Sequence, residues 1–215
     1  MMCSVWIILF ISRKEMRTKM IILSFAVIPF AFFDYFSQPA YWHPETLLSI
    51  PVGIEGVLFG FSFGGVTAVL YSDKTIRPAM SSNRVIDGRN VVALSPVLII
   101  AMGLWFLFDV NMMICLPLGL LAGCIIIMAF RQDLIKNVLF SGLYFGLLYS
   151  FVLSIWLLLF PQAQQWWHLK IYGELTFFNV PFGEVLFGFL FSGFWGAAYE
   201  FVLSDKLVQS ESAIY

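Results

Sequence analysis

Apolar positions in this chain fall neither into strand-like alternation nor into helical stripes but into long unbroken runs separated by short polar connectors. Runs at 20–36, 47–71, 91–110, 112–130, 137–160 and 177–203 approach or exceed the roughly 20 helical residues that cross about 30 Å of hydrocarbon. A shorter run at 2–12 precedes them. It is too short to span alone, and its cations follow the apolar stretch instead of leading it, unlike a cleaved signal peptide. A true start at Met16 or Met20 would account for its shortness. The expectation is an all-α polytopic transmembrane bundle of six to seven helices.

Orientation follows from the basic residues, because loops rich in Lys and Arg resist translocation. Arg13, Lys14, Arg17 and Lys19 lie in the first connector, Lys74, Arg77, Arg84 and Arg89 in the longest, Arg131 and Lys136 in the third, and Lys206 after the last run. Lys170 alone of the twelve falls on the other side. The amino terminus is therefore expected outside and the carboxyl terminus in the cytoplasm, in a cytoplasmic (inner) membrane.

The same string occurs twice. Val57-Leu58-Phe59-Gly60-Phe61 recurs 128 residues later as Val185-Leu186-Phe187-Gly188-Phe189. A Trp-His pair precedes each copy, Trp42-His43 and Trp167-His168, and a Tyr follows each shared Phe by twelve residues, Tyr71 and Tyr199. Two parallel three-helix repeats, related by an axis along the membrane normal, are expected. The division is 1–71 for the first repeat, 72–111 for a cytoplasmic linker with a connecting helix, 112–207 for the second repeat and 208–215 for a tail. Gly56, Gly60, Gly64 and Ala68 in one motif helix, and Gly188, Ser192 and Gly196 in the other, form small-residue stripes of the kind that draw helices together in lipid. They make the two motif helices each other's expected partners.

Composition agrees with a bilayer protein: 60 % hydrophobic, 18 % aromatic and 12 % charged residues, against roughly 25 % charged in soluble domains. A net charge of −1 gives no reason to expect nucleic acid. Cys3, Cys115 and Cys124 lack metal or disulfide spacing, and no metal site or cofactor motif is found. The conspicuous charges are Glu55 and Glu184, each about eight residues past the outer end of its run, or about 12 Å deep. A carboxylate at that depth costs on the order of 2.5–3.5 kcal/mol, so it ordinarily faces the bundle interior and marks a site. Two such groups meeting in an apolar pocket, one protonated and one ionised, are suited to moving a proton to and from a hydrocarbon.

At these residues a resemblance emerges. Segments 33–61 and 179–189 resemble the membrane-integral lycopene cyclase domain family, as found in two-subunit bacterial and fungal bifunctional carotenoid cyclases. That family repeats an Asp at a helix end, an outer loop with Trp and Pro, and a Pro-x-Glu-Glu motif before a Val-Leu-Phe run. Asp34, Trp42, Pro44 and Glu55 fall on the pattern in the first copy, and Pro181 and Glu184 in the second. The chain resembles a divergent member. The first copy reads Gly53-Ile54-Glu55-Gly56 and the second Pro181-Phe182-Gly183-Glu184, so each keeps a single acid of the Glu-Glu pair.

The resemblance implies a cofactor-free lycopene cyclase of the intramolecular lyase or isomerase type, acting on a hydrophobic polyene within the bilayer. Glu55 and Glu184 are the implied catalytic pair. Asp34, Phe59, Phe63, Phe187, Phe191, Trp42 and Trp167 are the candidate substrate contacts, the aromatic faces stabilising a carbocation. The alternative from a different class is a non-catalytic protein that binds or transports an isoprenoid on the same fold. A homo-oligomer is compatible with either.

Overall fold

The structure, a computed structural model, describes residues 1–37, 41–43, 53–70, 84–167 and 175–205. Pro44, Tyr71, His168, Lys170, most of the long connector and the tail lie outside the described residues. The described residues are helical almost throughout. Helix α1 is Met2–Ser12, and α2 is Arg17–Val27, continuing through a 3₁₀ stretch, Ile28–Phe33, into α3, Asp34–Ser37. Pro29 stands at the start of the 3₁₀ stretch, where its missing N–H removes an α-type bond and the backbone tightens.

Helix α4 is Ile54–Leu70, β1 Arg84–Ile86, α5 Gly88–Ala93, α6 Ser95–Phe108, α7 Met112–Phe130 and α8 Ile135–Leu159. Another 3₁₀ stretch, Pro161–Trp166, precedes a small hairpin of β2, Thr176–Phe177, and β3, Val180–Pro181. Helix α9, Phe182–Val202, follows at once and runs into β4, Leu203–Asp205, which pairs antiparallel with β1. Polar caps mark the starts of α5 and α7. The Asp87 side chain accepts from the Arg89 N–H, and that of Asn111 from the Met113 N–H, satisfying donors the helix leaves open.

Among the described residues, five helical stretches are long and apolar enough to cross a membrane: Lys14–Phe36, Gly88–Phe108, Met112–Phe130, Gln132–Leu159 and Phe182–Val202. Met2–Ser12 and Ile54–Leu70 are apolar but shorter. The bundle is greasy on the outside. Ile99, Leu107 and Phe108 of α6 and Phe151 and Leu158 of α8 are all well exposed, an arrangement that suits lipid and not water.

Helix α4 packs against α1 and α2, α9 packs against α7 and α8, and α4 and α9 touch each other. The small-residue stripes do not mediate that last contact, contrary to the expectation above. Gly64 backs onto the Leu23 carbonyl and Gly60 onto Val27, both on α2. Gly188 faces Tyr149 and Phe145 of α8, and the Ser192 hydroxyl lies 2.8 Å from that of Ser141 on α8. Each stripe thus serves its own hairpin neighbour, leaving bulkier faces for the α4–α9 junction. There the fully buried Phe63 stands 5.4 Å from Phe191 and 6.4 Å from Phe187, ring centre to ring centre. At the opposite end from Met1, the Lys19 ammonium of α2 lies 2.9 Å from the Glu200 carboxylate of α9, both nearly buried.

Candidate functional site

Both motif glutamates lie in the first turn of their helices, not two turns inside. In the second copy the physical reason is local. Phe178 and Asn179 adopt left-handed backbone angles, φ 51° and 62°, turning the chain into the β2–β3 hairpin, and Pro181 precedes the first helical residue. Residues that read as apolar helix therefore form a turn, and α9 begins only at Phe182. Glu184 is nonetheless 9 % exposed, because neighbouring elements close over it.

Its two carboxylate oxygens are held separately. The Tyr149 hydroxyl of α8 donates to Oε2 at 2.7 Å, and the Trp167 indole N–H donates to Oε1 at 3.1 Å. Tyr149 and Trp167 are themselves buried, and the buried Tyr41 lies close enough to interact with the same carboxyl. An indole N–H can only donate, so Trp167 serves Glu184 as a fixed donor. The two tryptophan loops meet directly. Trp42 and Trp167 form an isolated backbone bridge with their rings 4.8 Å apart, and the His43 N–H donates to the Trp166 carbonyl.

Asp34 begins α3, at the far end of the helical stretch that starts near Lys14. It is partly buried and interacts electrostatically with Glu184. Its carboxylate lies against Gly56, with Oδ2 2.6 Å from where a β-carbon there would sit. Any side chain at position 56 would displace it. Glu55 differs in setting: it is exposed, and its carboxyl folds back over Gly53.

A cavity of about 570 Å³ joins these groups, within the range of small-ligand sites. Its wall includes Asp34, Glu55 and Glu184, the aromatics Trp42, Phe59, Phe63, Trp167, Phe187 and Phe191, and Tyr149. Every residue singled out from the sequence as catalytic or substrate-binding thus borders one space. No Lys, Arg or His is among the described residues lining it. The aromatic wall is continuous: Phe63 stands 4.0 Å from Phe59, 4.9 Å from Tyr149 and 5.4 Å from Phe191. Such a chamber desolvates whatever enters, offers ring faces to a cation, and confronts it with carboxyls.

Tyr149 and Tyr41 were missed in the sequence. For Tyr149 a signal existed, since a tyrosine ten or more residues from either end of a long apolar helix cannot reach the interface and its hydroxyl must find a partner inside. Compared with known proteins, residues 110–202 match the family model described as lycopene cyclase. Neither the curated proteins nor the solved structures compared yield a match.

Proposed function

We propose, from the match of residues 110–202 to the lycopene cyclase family model, that the chain closes the end of a linear lycopene-type polyene into a ring, by acid–base chemistry within the bilayer and without net redox change. One observation carries this reading: three carboxyls from separate elements, Asp34, Glu55 and Glu184, border a single apolar, aromatic-walled cavity. A proton placed on a terminal double bond generates a tertiary cation. A neighbouring alkene attacks it, forming the ring bond, and loss of a ring proton restores a double bond, so the product is an isomer of the substrate.

The chain's own residues serve each stage. Glu184, with its fixed oxygens, works together with a carboxyl from the first half of the chain, and Glu55 and Asp34 are placed to act there. Phe59, Phe63, Phe187 and Phe191 surround the cation with weakly nucleophilic faces. Trp42 and Trp167 close the tryptophan end of the chamber against water, which would otherwise trap the cation. That α4 packs against α1 and α2 as α9 packs against α7 and α8 supports a two-repeat reading in which each half delivers acid to the shared space. The charge pattern of the connectors supports an outer location for the cavity.

The test is to express the chain in a bacterium that accumulates lycopene and to resolve the pigments chromatographically. Cyclic carotenoid is expected. Lycopene left unchanged by well-expressed, membrane-inserted protein overturns the proposal in favour of a non-catalytic isoprenoid binder.

A further inference from the structure

Resting on the reading just given, we infer that Asp34 is the proton donor and Glu184 the proton acceptor of the cyclisation, Asp34 supplying the acid that the first motif lacks at Gly56.

The first argument is positional. Aligned on the repeated Val-Leu-Phe, Gly56 stands where the second copy has Glu184. The space beside that glycine is not empty, because the Asp34 carboxylate lies against it. A carboxyl delivered from α3 thus occupies the place at which a side chain on α4 would project, and it interacts electrostatically with Glu184. The chamber keeps a facing pair of acids although one motif has lost its own.

The second argument divides the roles. Two carboxyls facing each other in an apolar chamber do not both ionise readily, so one proton is shared unequally between them. Glu184 accepts from Tyr149 and Trp167 on separate oxygens, and hydrogen bonds to the ionised form favour it. It also lies in the first turn of the 21-residue α9, at the positive end of the helix dipole, where a negative charge is stabilised. Asp34 begins α3, a helix of four residues, whose dipole is far weaker than that of α9. The negative charge therefore resides on Glu184 and the proton on Asp34. Glu55, in the first turn of α4 and exposed, shares the dipole setting of Glu184 and so lacks that of a donor.

The step balances. The Asp34 carboxyl proton adds to the terminal alkene, the cation closes to form one carbon–carbon bond, and a ring proton passes to the Glu184 carboxylate. Return of that proton from Glu184 to Asp34, directly or through water, resets the pair without any oxidant or reductant.

The test uses membranes containing the full chain, supplied with lycopene in deuterium oxide, with label read by mass spectrometry in product and in recovered substrate. Wild type is expected to place up to one deuterium in each ring formed. Asp34→Asn should lower cyclic product at least 100-fold, in the range of general acid–base contributions, and leave recovered lycopene unlabelled, since no cation forms. Glu184→Gln should lower product as strongly yet give labelled lycopene, because the cation forms and returns a proton to Asp34. Label appearing with Asp34→Asn and vanishing with Glu184→Gln, or vanishing with Glu55→Gln while Asp34→Asn still cyclises, overturns the assignment. Should Asp34→Asn fail to accumulate, Asp34→Glu on the Glu184→Gln background decides: continued labelling supports the assignment and its loss overturns it. Wild type that leaves lycopene unchanged overturns instead the proposed function itself.

Discussion

At the scale of single residues, the site turns on what surrounds one carboxyl. Removing the Tyr149 hydroxyl as Tyr149→Phe keeps the ring that packs on Phe63 and deletes only the 2.7 Å bond to Glu184. A hydrogen bond to a charged group contributes about 1.5–3 kcal/mol. The variant is therefore expected to accumulate normally and to cyclise roughly tenfold to a hundredfold more slowly, as read by initial rates of ring formation; an unchanged rate would show that Tyr149 only fills space. Gly56 offers a second test. A methyl there meets the Asp34 carboxylate at 2.6 Å, far inside van der Waals contact, so Gly56→Ala must move that acid. Cyclic product is expected to fall at least tenfold, with the protein still present in the membrane by immunoblot. Neither residue's role was legible as such, because the partners of Tyr149 and Gly56 lie 35 residues ahead of one and on a separate helix from the other. The acids Asp34, Glu55 and Glu184 and the motifs around them, by contrast, announced themselves.

At the scale of elements, close helix approach is arranged within each hairpin. The Leu23 carbonyl of α2 leaves no room for a side chain at Gly64, so Gly64→Leu is expected to separate α2 from α4 and to lower the detergent melting temperature measurably. Gly103, with open space around it, serves as the tolerant control when changed to Ala. The apolar runs themselves were readily legible, since a membrane crossing demands length and apolarity that nothing else in the sequence imitates. Their ends were not. The run read as 177–203 conceals a hairpin at Thr176–Pro181 whose turn uses Phe178 and Asn179 in left-handed geometry, and hydrophobicity alone cannot tell a buried turn from a helix start. The stripes were seen but assigned to the wrong neighbour for a similar reason: spacing shows that a helix can be approached closely, not by which helix.

At the scale of the whole molecule, the family match covers residues 110–202, yet the chamber is bounded from both sides of that boundary. Glu184, Tyr149, Trp167, Phe187 and Phe191 come from the matched part, and Asp34, Trp42, Phe59 and Phe63 from before it. The ties between the parts include the aromatic junction at Phe63 and the Lys19–Glu200 pair at the other end of the bundle. Removing one member of a nearly buried pair strands the other charge and costs about 3–5 kcal/mol, whereas replacing both with apolar residues is often neutral. Glu200→Gln is accordingly expected to loosen the two parts and reduce both thermal stability and cyclisation. The double variant Lys19→Met with Glu200→Leu is expected to recover most of the stability, and a double variant no better than the single would show that the pair is not a unit. The same logic extends to the polypeptide. Residues 84–215 expressed alone retain Glu184 and its donors but no Asp34, so they are expected to yield no cyclic pigment. Co-expression with residues 1–83 should restore it, because the junction residues on both fragments remain to bring the acids together. Cyclisation by 84–215 alone would mean that the chemistry needs only one acid-bearing half, and that the facing carboxyls of the chamber are not its engine.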